Sequence, residues 1–119
     1  MSLTRLIERI KQHPDYPKVG MILCHNGVVR ATSRDGRQVS GLRITVDTEK
    51  LRQVVEANKS RAGIVEILVH INGDVDLKVG EDVMYIVVAG DIRENVISTL
   101  QDTLNTIKTT VTQKAQYFV

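Results

Sequence analysis

Residues 64–89, IVEILVHINGDVDLKVGEDVMYIVVA, decide the fold class. Three apolar stretches, 64–71, 75–79 and 82–89, are separated by Asn72-Gly73 and Gly80-Glu81, residue pairs suited to tight turns. Three strands in succession, joined by connections this short, predict an antiparallel meander. Upstream, residues 20–30, GMILCHNGVVR, form an apolar run that opens into a polar, basic loop, and 21–29 reads as another strand. Ser33-Arg34-Asp35-Gly36 is a hairpin signal, and beyond it Leu42, Ile44 and Val46 alternate with Arg43 and Thr45, as in a half-buried strand. The strands on either side of this signal are expected to pair antiparallel.

Helical spacing frames these strands. Leu3, Leu6, Ile7 and Ile10 form one apolar stripe, with Ser2 placed to cap it and His13-Pro14 to end it. The segment 15–18, with prolines nearby, reads as a turn into the first strand. Leu51, Val54 and Val55 form the stripe of a second helix, which Asp47 or Thr48 can cap and Gly63 can stop. Val96, Ile97, Leu100, Leu104, Ile107 and Val111 give the third, where Asp91 and Glu94 resemble a capping box. The order of helix, two strands, helix, three strands, helix argues for an α+β fold with a mainly antiparallel sheet.

Composition bounds the function. The 119 residues suit a single domain over 1–119 that can bury a core without staples. With 16 basic against 14 acidic side chains, the excess is too small to draw a polyanion unless it is concentrated locally. Aromatics are only 3%, which leaves few platforms for unpaired bases, so no nucleic-acid partner is expected. No apolar run approaches the roughly 18 residues of a membrane span. Arg5, Glu8, Arg9 and Lys11 break the N-terminal stretch and argue against a secretory signal. Cys24 stands alone, so no intrachain disulfide is expected, and a cytoplasmic location is the default.

Arg30 sits at a strand end, where packing can hold a guanidinium against an anion, and Gly27 before it marks a bulge or a close backbone approach. Arg34 and Arg37 occupy the following loop; each reads either as part of an anion grip or as a solvated hairpin tip. Lys108 and Lys114 fall at the end of the last helix, where basic residues also complement the helix dipole. Arg93 opens that helix, and fifteen residues at about 1.5 Å each put it roughly 22 Å from Lys108 along the axis. If both serve one small ligand, the second must come from another copy, which predicts a homodimer. His70 reads as a structural histidine on an apolar strand. His13, His25 and His70 show no metal-ligand spacing, and Cys24 reads as a buried, inert thiol. No phosphate-binding loop, dinucleotide fingerprint or nucleophile elbow is present, and no metal or cofactor is expected.

These residues together resemble the large, catalytic subunit of molybdopterin synthase. The run GMILCHNGVVR is similar to that family's apolar strand ending in Gly-x-Val-Arg, followed by a polar loop and Val39-Ser40-Gly41-Leu42. Val69-His70 with Gly73-Asp74, then Val79-Gly80-Glu81, resemble its His-x-x-Gly-Glu and Val-Gly-Glu segments. Arg93 matches the arginine of a His-Arg pair, and Ile107-Lys108-Thr109 a Leu-Lys segment, in a collinear match over about residues 2–114. The sequence departs from the family's pattern at several places: Ile92 stands for the histidine of the pair, His25 stands where a Phe is usual, and the segment between Leu42 and Glu49 is shorter and lacks the usual acidic and aromatic residues. Thr109-Thr110-Val111-Thr112-Gln113-Lys114 lacks the family's Pro-aromatic-Trp stretch and brings Lys114 one place early.

The resemblance implies an α/β-hammerhead-like fold and a sulfurtransferase. Sulfur would pass from the C-terminal thiocarboxylate of a small ubiquitin-like carrier to cyclic pyranopterin monophosphate, giving molybdopterin. It implies that Arg30 and Arg93, with Arg37, hold the anionic substrate, and that Lys108 and Lys114 serve catalysis. It also implies a homodimer carrying one carrier at each end, as a heterotetramer. Two alternatives stand beside it: a noncatalytic homologue that keeps carrier or pterin binding, and an anion- or nucleic-acid-binding module built on the arginine loop.

Overall fold

The computed structural model describes residues 1–119, in an elongated body of 48 × 25 × 23 Å. Its centre is β5 (Asp82–Gly90), whose uninterrupted apolar run offers no polar face to water. Such a strand must be covered on both sides. It is flanked in its sheet by β1 (Met21–Val28) and β3 (Ile64–Ile71), both antiparallel to it, with His25 opposite Ile86 and His70 opposite Tyr85. Helix α1 (Leu3–Lys11) covers one face, packing Leu6 and Ile10 against Tyr85, Val87 and Ala89. The opposite face presents Ile86 and Val88 to α3 (Arg93–Thr106) and α2 (Thr48–Lys59), with Val96 and Ile107 fully buried there.

A second sheet has the order β4 (Asp76–Lys78), β2 (Val39–Val46), β6 (Thr112–Phe118), again antiparallel. Leu42, Ile44 and Leu77 turn inward and join the core that holds Val96 and Ile107, so one apolar cluster serves both sheets. Helix ends follow the sequence closely at two places. Ser2 Oγ accepts from the Arg5 amide at 3.2 Å, and the Asp47 carboxylate accepts from the Lys50 amide at 3.0 Å.

Several expectations are corrected. The α+β class and the antiparallel pairing stand, but β1 and β2 do not pair. The turn at 33–37 does form, with the Ser33 amide donating to the Arg37 carbonyl at 2.9 Å and Gly36 at φ 86°. It closes only one further bridge, Thr32 to Gln38, before the strands diverge into different sheets. Strand β1 goes to the doubly buried β5, while the alternating β2 takes a sheet with one wet face. Nor do 64–89 form a meander: β3 pairs directly with β5, and β4 between them crosses to β2. Gly73 makes this crossing possible, since a Cβ there would stand 2.6 Å from Val46 Cγ2. Asp74, at φ 62°, donates its amide to the Ile44 carbonyl at 2.7 Å.

The capping box at Asp91 and Glu94 is absent. Ile92 is the N-cap residue, Asp91 instead accepts from the Ile92 amide and Asn95 Nδ2, and Glu94 pairs with Arg93. Helix α2 ends at Lys59, before Gly63. The last apolar stripe is not one helix, because α3 passes into a π-helical segment, Ile107–Val111, and then into β6, which the helical reading did not anticipate. No helix is long and apolar enough to cross a membrane.

Because β5 is enclosed on both sides, trimming it leaves a cavity that neighbours cannot fill. Ile86→Ala is expected to lower unfolding free energy by about 2–5 kcal/mol. Val28→Ala, at a side chain 49% exposed, should change it by less than about 0.5 kcal/mol. Equal urea midpoints for the two variants would contradict this account of the core.

Candidate functional site

The site is built where α3 stops covering β1. Met21 and Leu23 pack into the core beneath the helix, and alternation then brings His25 and Gly27 to the same face of the strand. The helix ends short of them. A π turn widens the backbone path and is a frequent device at functional sites. Here threonine hydroxyls donate to carbonyls one turn back: Thr106 to Asp102 at 2.8 Å, Thr109 to Asn105 at 3.0 Å and Thr110 to Thr106 at 2.7 Å. Such bonds bend helices. Ile107 and Val111 anchor the segment in the core and leave Lys108 pointing out of it.

Strand β6 then runs back along β2 with Lys114 opposite Ile44. Lys108, Lys114 and Arg34 line both an inner cavity of about 330 Å³ and an outer recess of about 540 Å³. These are two parts of one cleft between the sheets. Leu42, Ile44, Val83 and Met84 form the apolar inner wall, with His25 over Gly27 beside them. Arg30 lines the outer part, with its Nε donating to the Thr32 carbonyl at 2.8 Å. None of these four cations has a carboxylate partner. The single carboxylate on the rim, Asp35, accepts from Ser33 Oγ, and that bond holds its pKa below the usual carboxylate value. The cleft therefore has four unpaired positive charges, a low-polarity wall and one carboxylate, a composition that attracts a small anion carrying an apolar body.

Of the five residues that the resemblance assigns to the site, Arg30, Lys108 and Lys114 come together here. Arg37 does not line the cleft. Its guanidinium stacks 3.6 Å over the Phe118 ring, tying the end of β6 to the 33–37 turn. Arg93 lies at the far end of α3, 78% exposed and paired with Glu94 at 3.3 Å. Lys114 occupies a strand, not a helix end, so the helix-dipole reading does not apply to it. Arg34 takes the cleft position, and His25 joins it. The spacing of His25 from Gly27 on one strand face was the available signal for the latter. Burial and the neighbouring Lys108 cation both push the His25 pKa down, leaving a neutral imidazole at neutral pH.

The other candidates have structural surroundings. His70 Nε2 is 3.0 Å from Asn72 Oδ1 and its ring stacks on Tyr85 at 6.1 Å. Cys24 packs with the α1 core, where burial raises its pKa. No three His, Cys, Asp or Glu side chains form a metal-binding cluster.

The family model for the MoaE protein matches residues 1–110, over nine-tenths of the chain. The chain belongs to the MoaE protein family. Solved structures agree in fold. Molybdopterin synthase from Staphylococcus aureus superposes with a TM-score of 0.79 at 14% identity, covering 100% of this chain and 86% of that one. Molybdopterin cofactor biosynthesis protein E from Burkholderia multivorans gives 0.76 at 19%, covering 100% and 84%. A complex of subunits 1 and 2 of the molybdopterin-converting factor from Helicobacter pylori gives 0.71 at 15%, also covering 100% and 84%. No curated protein sequence matches the chain. Family membership gives the chain a role in molybdenum cofactor biosynthesis, and the MoaE fold accounts for the two-sheet architecture.

The Arg37 stack has a direct consequence for the last strand, β6. An exposed cation–π pair contributes about 0.5–1 kcal/mol. The Val119 amide donates to the Gln38 carbonyl at 3.1 Å, beside that stack. Arg37→Ala should speed hydrogen exchange at this amide about two- to five-fold, whereas Arg34→Ala should leave it unchanged.

Proposed function

We propose that residues 1–119 act as one catalytic large-subunit domain of molybdopterin synthase, transferring sulfur from a thiocarboxylated carrier to cyclic pyranopterin monophosphate. The observation that carries this reading is the convergence of Lys108 and Lys114 with Arg30 and Arg34 on a single cleft. Both reactants are anions with apolar or planar bodies. The cationic rim suits the cyclic phosphate and the thiocarboxylate, and the wall of Leu42, Ile44 and Met84 suits the body of the pterin.

The chemistry sets what the cations do. The thiocarboxylate sulfur attacks a side-chain carbon of the pterin, forming a C–S bond as the C–O bond at that carbon breaks and its electron pair leaves on oxygen, so that carrier and pterin are joined as a thioester. Water then cleaves the acyl–sulfur bond, the carrier departs as a carboxylate with sulfur left on the pterin, and a second thiocarboxylated carrier repeats both steps at the adjacent carbon, whose oxygen leaves as water. Lys108, exposed at the mouth of the inner cavity, stabilises negative charge developing on the acyl oxygen and serves proton transfer or a transient covalent link. Lys114 flanks it, while Arg30 and Arg34 orient the phosphate. Arg37 supports this site through Phe118 rather than by touching substrate.

Arg93 enters from a second copy. It lies at the far end of α3 from Lys108, next to Ile92 and Ile97, which are 52% and 48% exposed. An apolar patch beside an exposed guanidinium, paired only with its chain neighbour Glu94, suits a two-fold contact that completes the partner's cleft. A ubiquitin-like carrier at each end then gives a heterotetramer, working in the cytoplasm; the Helicobacter pylori relative was solved as a complex of its two subunits. The noncatalytic reading draws on the stretch from Thr109 to Lys114, which has no Pro or Trp.

Mixing the protein with thiocarboxylated carrier and the cyclic precursor should produce molybdopterin; tight carrier binding without product would favour the noncatalytic reading. Lys108→Ala should lower kcat by about 10²-fold or more with an unchanged circular dichroism spectrum, and full activity would remove the role assigned to this lysine. Mixing inactive Lys108→Ala and Arg93→Ala chains should restore about a quarter of wild-type activity, because half the dimers are mixed and each has one intact site. No recovery would separate Arg93 from the shared site.

A further inference from the structure

We propose that His25 is an additional anion contact of the cleft, which takes up a proton when an anionic ligand binds beside Lys108. This deepens the proposed function and rests on it only for the identity of the natural ligand.

The three histidines differ in what holds them. His13 Nδ1 accepts from the Asp15 amide at 3.0 Å and its Nε2 is 3.8 Å from a Glu66 carboxylate oxygen. His70 is bonded to Asn72 and stacked on Tyr85. His25 has neither a hydrogen-bond partner nor a carboxylate, although it is half-buried. Its Nε2 lies over Gly27, 3.3 Å from where a Cβ would stand, so the ring occupies the space that a larger residue would fill. The cavity on its open side is shared with Lys108, Lys114 and Arg34. A half-buried imidazole without a partner, facing an anion-attracting cavity, has hydrogen-bonding capacity that only a ligand or solvent can use.

The charges around it determine its protonation. Lys108 comes from the π-helical segment, Lys114 from β6 and Arg34 from the turn, while β5 and β2 contribute only Val83, Met84, Leu42 and Ile44 to the same cavity. All the charge lining it is positive. Burial and Lys108 lower the pKa of the ring and favour its neutral form. An anion placed among these cations offsets them and offers an acceptor, and both effects favour the imidazolium. By linkage, the anion must then bind more tightly as pH falls through the His25 titration.

The test uses sulfate, which does not itself titrate in the relevant range, and the His25 ring C–H resonances followed by NMR between about pH 5 and 8. The titration midpoint of His25 should move upward in saturating sulfate but not in sodium chloride of equal ionic strength. The ring resonances of His13 and His70, which do not line the cleft, should not respond to sulfate. Sulfate affinity should rise toward low pH in the wild type, and this dependence should be lost in His25→Phe. An unmoved His25 midpoint, or no sulfate binding at all, overturns the proposal. Sulfur transfer is read separately: product formation with an unmoved midpoint removes only the role of His25, whereas a shifted midpoint without product removes only the enzymatic reading.

Discussion

The enclosure of β5 is the constraint on which the rest of the structure depends. A strand whose side chains are apolar on both faces cannot lie on a surface, so α1 must cover one side and α2 and α3 the other. The dimensions of α3 then matter more than its sequence. It spans the part of β1 that needs covering and ends before His25, and the cleft is the space left by a helix shorter than the strand beneath it.

The cations reach that space by different routes, each set by packing rather than by charge. Arg30 extends from the end of β1, Arg34 from a turn closed by Ser33, Lys108 from a segment anchored by Ile107 and Val111, and Lys114 from a strand in register with β2. Their mutual repulsion is carried by apolar contacts elsewhere in the core. Charges held in this way already stand where an anion would need them, and little ordering would remain to be done on binding.

Much of this was legible in the residues themselves. Ser2 and Asp47 as caps, the first two helical stripes and the strand at 64–71 follow from local chemistry, and the structure has them. Partner choice was not legible, because Leu42, Ile44 and Val46 state that one face is buried without stating against which strand. The meander failed for the same reason: Gly73 and Gly80 read as hairpin turns, but here they serve an excursion to the other sheet. The spacing of Ile107 and Val111 is equally good for a helix or a π turn, so β6 was hidden behind a helical pattern that ran on too far. Arg30, Lys108 and Lys114 stood out as charges at element ends. The roles of Arg34 and Arg37, three residues apart on one turn, depended on the position of Phe118, which no local pattern gives.

The crossing of β4 to the second sheet also bears on how the chain acquires its shape. Strand β2 is made early in the sequence, yet its neighbour β6 is the last segment, and the ladder joins Val39 to Phe118. Closing such a long loop carries a large entropic cost before any pairing offsets it, so assembly of this sheet is slow compared with helix formation. A chain still lacking its final residues has the doubly covered strand but not Lys114 or the far wall of the cleft. The full set of four cations around the cleft therefore belongs to the assembled two-sheet topology and to neither sheet by itself.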